Sequence, residues 1–178
     1  EDYLSSDEIS LETAIKAINY IVLNYGANGS MYTVDLSGSG EPLLRIDLIK
    51  KLDEYCDRLR NKIGKQILIK FATNATLVSD EIADYLHNSK CIIYGVSIEG
   101  NQKQNMNRQY KRGKPIYNDL IKGIDKLNND LLGLAVTITH KNEDVDEIYS
   151  HLYSLGVSAI SMHFVRDYTD SDTSLYKI

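Results

Sequence analysis

The chain has 178 residues, enough for one domain with a full hydrophobic core, and its formal net charge of -5 argues against a primary nucleic-acid binder. No apolar run is long enough to span a bilayer, and no secretory apolar segment stands at the start of the sequence. The two cysteines, Cys56 and Cys91, are not closely spaced, which excludes a disulfide framework and a multi-cysteine metal site within the chain and favours a cytoplasmic location.

Helical and strand patterns alternate along the first half of the chain. Apolar residues at helical spacing predict a first helix that ends near Gly26. A β-prone run at 31–36 follows, and apolar spacing then predicts a helix from Arg45 to Asn61. The short apolar run at 66–72 is typical of a buried strand.

The second half continues this alternation. Ser79 is a predicted N-cap, because the acidic residues behind it suit the positive end of a helix dipole. The elements after that helix are predicted as a strand at 91–98, a helix at 117–128, a strand at 132–139, a helix capped by Asn142 and ended by Gly156, and a strand at about 158–165.

The order of these elements predicts an α/β fold of parallel strands joined by right-handed crossovers. Five strands preceded by a helix fit either a doubly wound sheet or a barrel that lacks its first strand. The leading helix favours the partial barrel, because a β/α barrel begins with a strand. We expect residues 1–165 to form this barrel and the polar residues 166–178 to form a tail or linker.

The stretch from Ser37 to Leu44 lies where a strand meets a helix, and it contains a Gly-x-Gly turn closed by Glu-Pro. Glycines at such a junction leave backbone polar groups uncovered. Polar residues also follow three other predicted strands, at 73–76, 97–100 and 139–142. Because the carboxyl ends of parallel strands meet at one face, we expect these four segments to form one composite small-molecule site.

Three motifs follow one another along this face: Gly-x-Gly-Glu-Pro-Leu-Leu at 38–44, Thr-Asn-x-Thr at 73–76 and Val-Ser-Ile-Glu-Gly at 96–100. With Asn107-Arg108 behind them, they resemble the radical S-adenosylmethionine (SAM) enzymes. The resemblance is to the peptide- and protein-modifying branch that includes the anaerobic sulfatase-maturating, SPASM-type enzymes. It implies a partial (β/α)6 radical SAM barrel that belongs to an intact protein with oxidoreductase or maturase activity.

The resemblance assigns the turn Ser39-Gly40-Glu41-Pro42 to the ammonium group of SAM, with Ser39 in place of a glycine of the family. Carbonyl oxygens and a carboxylate suit a cation, and Pro42 fits the first position of the next helix. The alternative interpretation is that this is an ordinary turn that connects a strand to a helix and binds no ligand.

The resemblance also assigns residues after the later strands. Ser97 corresponds to the serine that contacts the SAM ribose, and Glu99 stands where the family often has aspartate. Arg108 corresponds to the arginine that pairs with the SAM carboxylate, a bidentate arrangement that lysine does not reproduce. Thr73 and Asn74 match the Thr-Asn motif of the family, which continues with glycine where this chain has alanine.

Radical SAM enzymes bind a [4Fe–4S] cluster through a Cys-x3-Cys-x2-Cys loop after the first barrel strand, and this sequence contains no such loop. The resemblance therefore implies SAM and the cluster as cofactors of the intact protein, with the cluster ligands outside this chain. We expect the chain alone to be inactive, to bind no cluster and to bind SAM weakly. Structural roles are expected for His140, His151 and His163, and buried positions for both cysteines.

The resemblance implies that the intact protein cleaves SAM reductively to a 5′-deoxyadenosyl radical, which abstracts hydrogen from a peptide or protein substrate. The residues leave two alternatives open. One is a non-catalytic α/β module that binds a peptide or nucleotide, and the other is a different parallel α/β enzyme such as a phosphate-binding barrel. We expect neither a nucleic-acid nor a membrane partner.

Overall fold

A computed structural model describes residues 9–25, 29–38, 40–110, 112–127, 132–139 and 142–164. The chain divides into two compact units. The first unit comprises Glu1–Val96 and Asp119–Leu127, and the second comprises Ser97–Asn118 and Asn128–Ile178.

Three parallel strands and the helices between them build the first unit. Its elements are, in chain order, α1 (Leu11–Tyr25), β1 (Met31–Asp35), a short 3-10 helix (Pro42–Arg45), α2 (Ile46–Ile63), β2 (Gln66–Thr73), α3 (Asp80–Asn88) and β3 (Ile92–Ser97). Asp35 of β1 pairs with Lys70 of β2, and Thr73 of β2 pairs with Val96 of β3. This register brings the turns that follow β1 and β2 to the same edge of the sheet.

The core of the first unit forms between α2 and one face of β2. Alternate side chains of β2, Ile67, Ile69 and Phe71, are fully buried, whereas Gln66 and Lys70 on the opposite face are exposed. The buried stripe of α2 consists of Leu48, Ile49, Leu52 and Cys56. Each large apolar side chain removed from water in this way contributes about 2 kcal/mol, so the core fixes the strands on which the two turns rest.

The second unit contains a parallel pair of strands. Its elements are a short 3-10 helix (Gln104–Asn107), the start of α4 (Tyr117–Leu127), β4 (Gly133–Ile138), α5 (Val145–Ser154) and β5 (Ala159–Phe164). Gly133 pairs with Ala159 at one end of the β4–β5 pair. Directly after β3, the backbone N–H of Ile98 donates to the carbonyl of Ala135, which ties the segment that begins at Ser97 to β4.

The structure confirms the predicted order of elements and the parallel strands. Ser79 caps α3 by accepting from the Ile82 N–H at 3.2 Å, and Gly156 follows α5 with a φ of +72°. The predicted helix from Arg45 is preceded by the 3-10 turn, because Pro42 opens that turn and the regular helix begins only at Ile46. The predicted helix end at Gly26 and the predicted tail, residues 166–178, lie outside the described residues.

The prediction that Asn142 caps α5 is wrong. Asp144 is the cap, and its carboxylate accepts from the Glu147 N–H at 3.0 Å. Asn142 is buried, and its side chain instead donates to the Thr137 carbonyl and accepts from the Thr139 N–H. A helix cap must leave its side chain free for the helix N-terminus, and Asn142 does not.

None of the described helices is long and apolar enough to cross a membrane. The cytoplasmic location stays a prediction.

Candidate functional site

The turn after β1 is fixed by Asp35 and leaves open space beside Gly40. Asp35 accepts from the Ser37 N–H at 2.8 Å, and hydrogen bonds from Ser37 hold the pKa of its carboxyl below the usual value. Gly40 has a φ of +117°, a conformation that side chains rarely adopt, and a Cβ there would meet no atom within 4 Å. Backbone angle rather than crowding therefore requires this glycine. Ser39 lies outside the described residues.

Glu41 joins the turn after β1 to the turn after β2. Its carboxylate accepts from the Leu43 N–H at 3.1 Å, and with Pro42 behind it Glu41 caps the 3-10 helix. It also accepts from the Thr73 hydroxyl at 2.6 Å and from the Asn74 N–H at 2.8 Å. Neutral protein donors thus bond both oxygens of this carboxylate.

The Thr-Asn segment forms a tight turn of its own. The Thr73 hydroxyl accepts from the Ala75 N–H at 3.0 Å, and the Asn74 side chain accepts from both the N–H and the hydroxyl of Thr76. Ala75 has a φ of +57°, which explains why glycine suits this position. In α4, a Cβ at Gly123 would lie 2.0 Å from the Ala75 carbonyl oxygen, so only glycine lets the helix pass the turn.

An ion pair follows β3 in the second unit. The Nε and Nη2 of Arg108 donate to one carboxylate oxygen of Glu99 at 2.9 and 2.5 Å, and its Nη1 donates to the Ser97 carbonyl at 3.2 Å. The Arg108 and Glu99 side chains are 27% and 19% exposed, so the pair is accessible but partly shielded from water. These bonds use one N–H on each guanidinium nitrogen, which leaves two of the five for a ligand.

Two buried asparagines hold the backbone of Glu99. Asn105 accepts from the Glu99 N–H at 3.1 Å and donates to the carbonyls of Gly100 and Asn101 at 2.6 and 2.9 Å. Asn142 donates to the Glu99 carbonyl at 3.4 Å. Sequence reasoning missed both contacts, because an asparagine in a polar loop carries no signal that its amide is buried.

The predicted site residues therefore form two clusters. Gly40, Glu41, Pro42, Thr73 and Asn74 lie together in the first unit, where the Glu41 carboxylate connects the two turns. In the second unit, Ser97, Glu99 and Arg108 lie together. The convergence of all four loops on one ligand stays a prediction.

The two cysteines are not suited to bind the [4Fe–4S] cluster. Cys56 and Cys91 are fully buried, and desolvation raises the pKa of both thiols, that of Cys56 to about 12. Iron–sulfur clusters are ligated by thiolates, which this environment disfavours. Within the described ranges, no group of three or more His, Cys, Asp and Glu residues could hold a metal ion.

The histidines outside the two clusters make local contacts. The His151 ring is 2.9 Å from the Tyr117 hydroxyl, and the His163 ring is 3.0 Å from the Ser161 hydroxyl. The structural roles expected of His151 and His163 stay a prediction. His140 lies outside the described residues.

The sequence profile of the radical SAM superfamily matches residues 6–152. The chain belongs to the radical SAM superfamily. Enzymes of this superfamily use SAM and a [4Fe–4S] cluster, which confirms the predicted cofactors at the level of the family. The chain is also 33% identical over 165 residues to the uncharacterised protein MJ0907 of Methanocaldococcus jannaschii, covering 91% of the chain and 55% of that protein.

Solved structures share the fold of this radical SAM chain. A structure of anSMEcpe with bound AdoMet and the Kp18Cys peptide matches with a TM-score of 0.76 at 18% identity, over 94% of the chain and 47% of that protein. Streptococcus suis SuiB bound to the precursor peptide SuiA matches with a TM-score of 0.64 at 19% identity, over 90% of the chain and 34% of that protein. These matches confirm the predicted partial radical SAM barrel. The chain spans about half the length of MJ0907 and anSMEcpe, and a third of SuiB.

Proposed function

We propose that this chain is the SAM-binding part of a radical SAM enzyme that modifies a peptide or protein. Membership of the superfamily gives the class of enzyme. The observation that carries the proposal is the pair of preformed polar clusters at the ends of β1, β2 and β3, since these are the strand ends at which such folds bind ligands. In this proposal residues 1–165 form the partial barrel and residues 166–178 a tail or linker.

The first cluster is assigned to the ammonium group of SAM. The backbone carbonyls of the Ser39–Pro42 turn would accept from it, while Glu41 keeps the turn in place through Thr73 and Asn74. The open space beside Gly40 lets a ligand approach the backbone closely. The Glu41 carboxylate adds a favourable charge at short range without needing to touch the ligand.

The second cluster is assigned to the ribose and the carboxylate of SAM. The second carboxylate oxygen of Glu99 accepts no hydrogen bond from the described residues, so it can accept from a ribose hydroxyl. The hydroxyl of Ser97 can donate to and accept from the same sugar. The two remaining N–H groups of Arg108 suit a carboxylate, and an arginine already aligned by Glu99 loses little side-chain entropy on binding.

SAM and the cluster, when both are bound, supply the radical chemistry of the superfamily, in which SAM is cleaved to a 5′-deoxyadenosyl radical. The residues of this chain bind and orient SAM. A peptide or protein substrate is proposed because anSMEcpe and SuiB, which share the fold, have been solved with peptides bound.

The natural gene product tests the proposal. After anaerobic reconstitution with iron and sulfide, incubation with SAM and a reductant should release 5′-deoxyadenosine, and Arg108→Lys should reduce its rate of formation. Mass spectrometry of peptides encoded beside the gene should then reveal a modified residue. SAM binding without any 5′-deoxyadenosine would favour the non-catalytic binding module, and a product that contains no peptide would overturn the proposed substrate class.

A further inference from the structure

Asn105 contacts both partners of the Glu99–Arg108 ion pair through the backbone. Its side-chain oxygen accepts from the Glu99 N–H at 3.1 Å, and its main-chain carbonyl accepts from the Arg108 N–H at 2.9 Å. Asn105 therefore holds the backbone from which both charged side chains extend.

The rest of the Asn105 side chain faces the same turn. Asn105 is 1% exposed, and its amide donates to the carbonyls of Gly100 and Asn101. Gly100 has a φ of +116°, and a Cβ there would lie 2.1 Å from the Gln104 side chain. The turn is thus held in one conformation by a buried amide whose oxygen and nitrogen both have partners.

Asn142 holds Glu99 from the other direction. It donates to the Glu99 carbonyl at 3.4 Å, while shorter bonds fix its own position: it donates to the Thr137 carbonyl at 2.9 Å and accepts from the Thr139 N–H at 2.7 Å. The N–H and the carbonyl of Glu99 are therefore both bound by asparagine side chains. No other residue of the two clusters has both backbone groups bound by buried amides of the described chain.

We infer that Asn105 is a positioning residue for SAM binding, acting through the Glu99–Arg108 pair with Asn142 in support. This inference rests on the proposed function of the second cluster. A carboxylate and a guanidinium that are already in place do not have to be ordered when the ligand arrives, so a greater part of the interaction energy appears as affinity. Asn105 itself does not touch the ligand.

A double-mutant cycle tests this inference, with S-adenosylhomocysteine as the probe because it carries the ribose and amino-acid groups and needs no iron. Calorimetry should show that Asn105→Ser weakens binding about tenfold, the effect expected when a buried group loses its partner. In the Glu99→Gln background the same change should weaken binding by less than about twofold, since the carboxylate to be positioned is no longer there.

Asn101→Ala is the matched control. Asn101 lies in the same loop, and its side chain bonds Lys103, Gln104 and Glu147 but not Glu99 or Arg108. Its substitution should have the same effect on affinity in both backgrounds. If Asn105→Ser does not fold, Asn142→Ala replaces it in the cycle, with a loss of about threefold expected from its longer bond to Glu99.

The possible outcomes separate the two claims. An equal loss of affinity in both backgrounds would mean that Asn105 only stabilises the loop, and the inference would be wrong while the proposed function stands. If the unmodified protein does not bind S-adenosylhomocysteine or SAM, both fail.

Discussion

Glu41 in the first unit and Glu99 in the second both follow a strand, yet their carboxylates have different kinds of partner. Glu41 accepts from two backbone N–H groups and a hydroxyl, all neutral. Glu99 pairs with a guanidinium and keeps one oxygen without a donor among the described residues. Partly buried neutral donors lose more when their acceptor is removed than an ion pair that water still reaches does. Glu41 should therefore matter most for folding, and Glu99 for the ligand.

The largest effect is expected from Gly123→Ala in the first unit. The new Cβ would lie 2.0 Å from the Ala75 carbonyl, so either α4 or the Thr73–Asn74 turn must move, at a cost of about 3 kcal/mol in the free energy of unfolding. Urea denaturation measures this loss. The control in the second unit is Gly133→Ala, whose Cβ would meet only the Ala159 Cβ, at 3.9 Å. Equal stability of the two variants would contradict the close approach of α4 to the turn.

The next largest effect is a difference in stability between variants of the two carboxylates. Glu41→Gln places an amide where two backbone N–H groups and a hydroxyl need acceptors, and it should lower the free energy of unfolding by about 2 kcal/mol. Glu99→Gln should cost less than about 1 kcal/mol, because its partner Arg108 stays partly solvated. If Glu99→Gln proved the more destabilising substitution in the same denaturation experiment, the contrast between the two clusters would be reversed.

A smaller effect concerns affinity rather than stability. Arg108→Lys keeps the charge but loses the fork that bonds Glu99 through two nitrogens. The dissociation constant for SAM should rise about tenfold, or about 1.4 kcal/mol, with little change in unfolding. Lys103→Arg, a charge-conserving change in the same loop, is the control and should bind SAM as the unmodified protein does. An Arg108→Lys variant with unchanged affinity would exclude the assigned role of this arginine.

The smallest effect is a difference in pH dependence. Desolvation lowers the pKa of His151, so the folded chain takes up the proton less readily than the unfolded chain. Its contribution to stability is complete above about pH 6.5 and is lost as the pH falls through the lower, folded pKa. His151→Gln should therefore reduce the loss of stability on going from neutral to mildly acidic pH. Asp35→Asn should leave that range unchanged, because the pKa of Asp35 is lowered and its contribution disappears only at more acidic pH. Identical pH profiles for His151→Gln and the unmodified protein would contradict this assignment.

Local patterns were sufficient to predict the order of the elements. The cap at Ser79 and the end of α5 at Gly156 depend on neighbours within one helical turn, and the sequence contains those neighbours. Asn142 and Asp144 both have the chemistry of a cap, and contacts of Asn142 with Thr137 and Glu99 decide between them. Those contacts depend on the folded chain, so the sequence alone favoured the wrong residue.

The sequence predicted the residue types of the site but not the hydrogen bonds between them. Motifs placed Glu41, Thr73 and Asn74 at strand ends, yet their hydrogen bonds join residues more than thirty positions apart. The bonds from Arg108 to Glu99 were likewise not anticipated, because the motif assigned Arg108 to the SAM carboxylate and gave Glu99 no partner within the protein. Spacing along a chain identifies which side chains lie at one edge of a sheet. Their hydrogen-bond partners depend on how the folded chain packs.

A titration of isotope-labelled protein with SAM, followed by NMR of the backbone amides, tests whether both clusters bind one SAM molecule. The amides of Gly40 and Asn74 in the first cluster and of Ser97 and Glu99 in the second should shift together with a single dissociation constant. Amides of α1, such as that of Ile18, should not shift. Shifts in one cluster only, or two clusters with different dissociation constants, would contradict the assignment of both clusters to one SAM molecule.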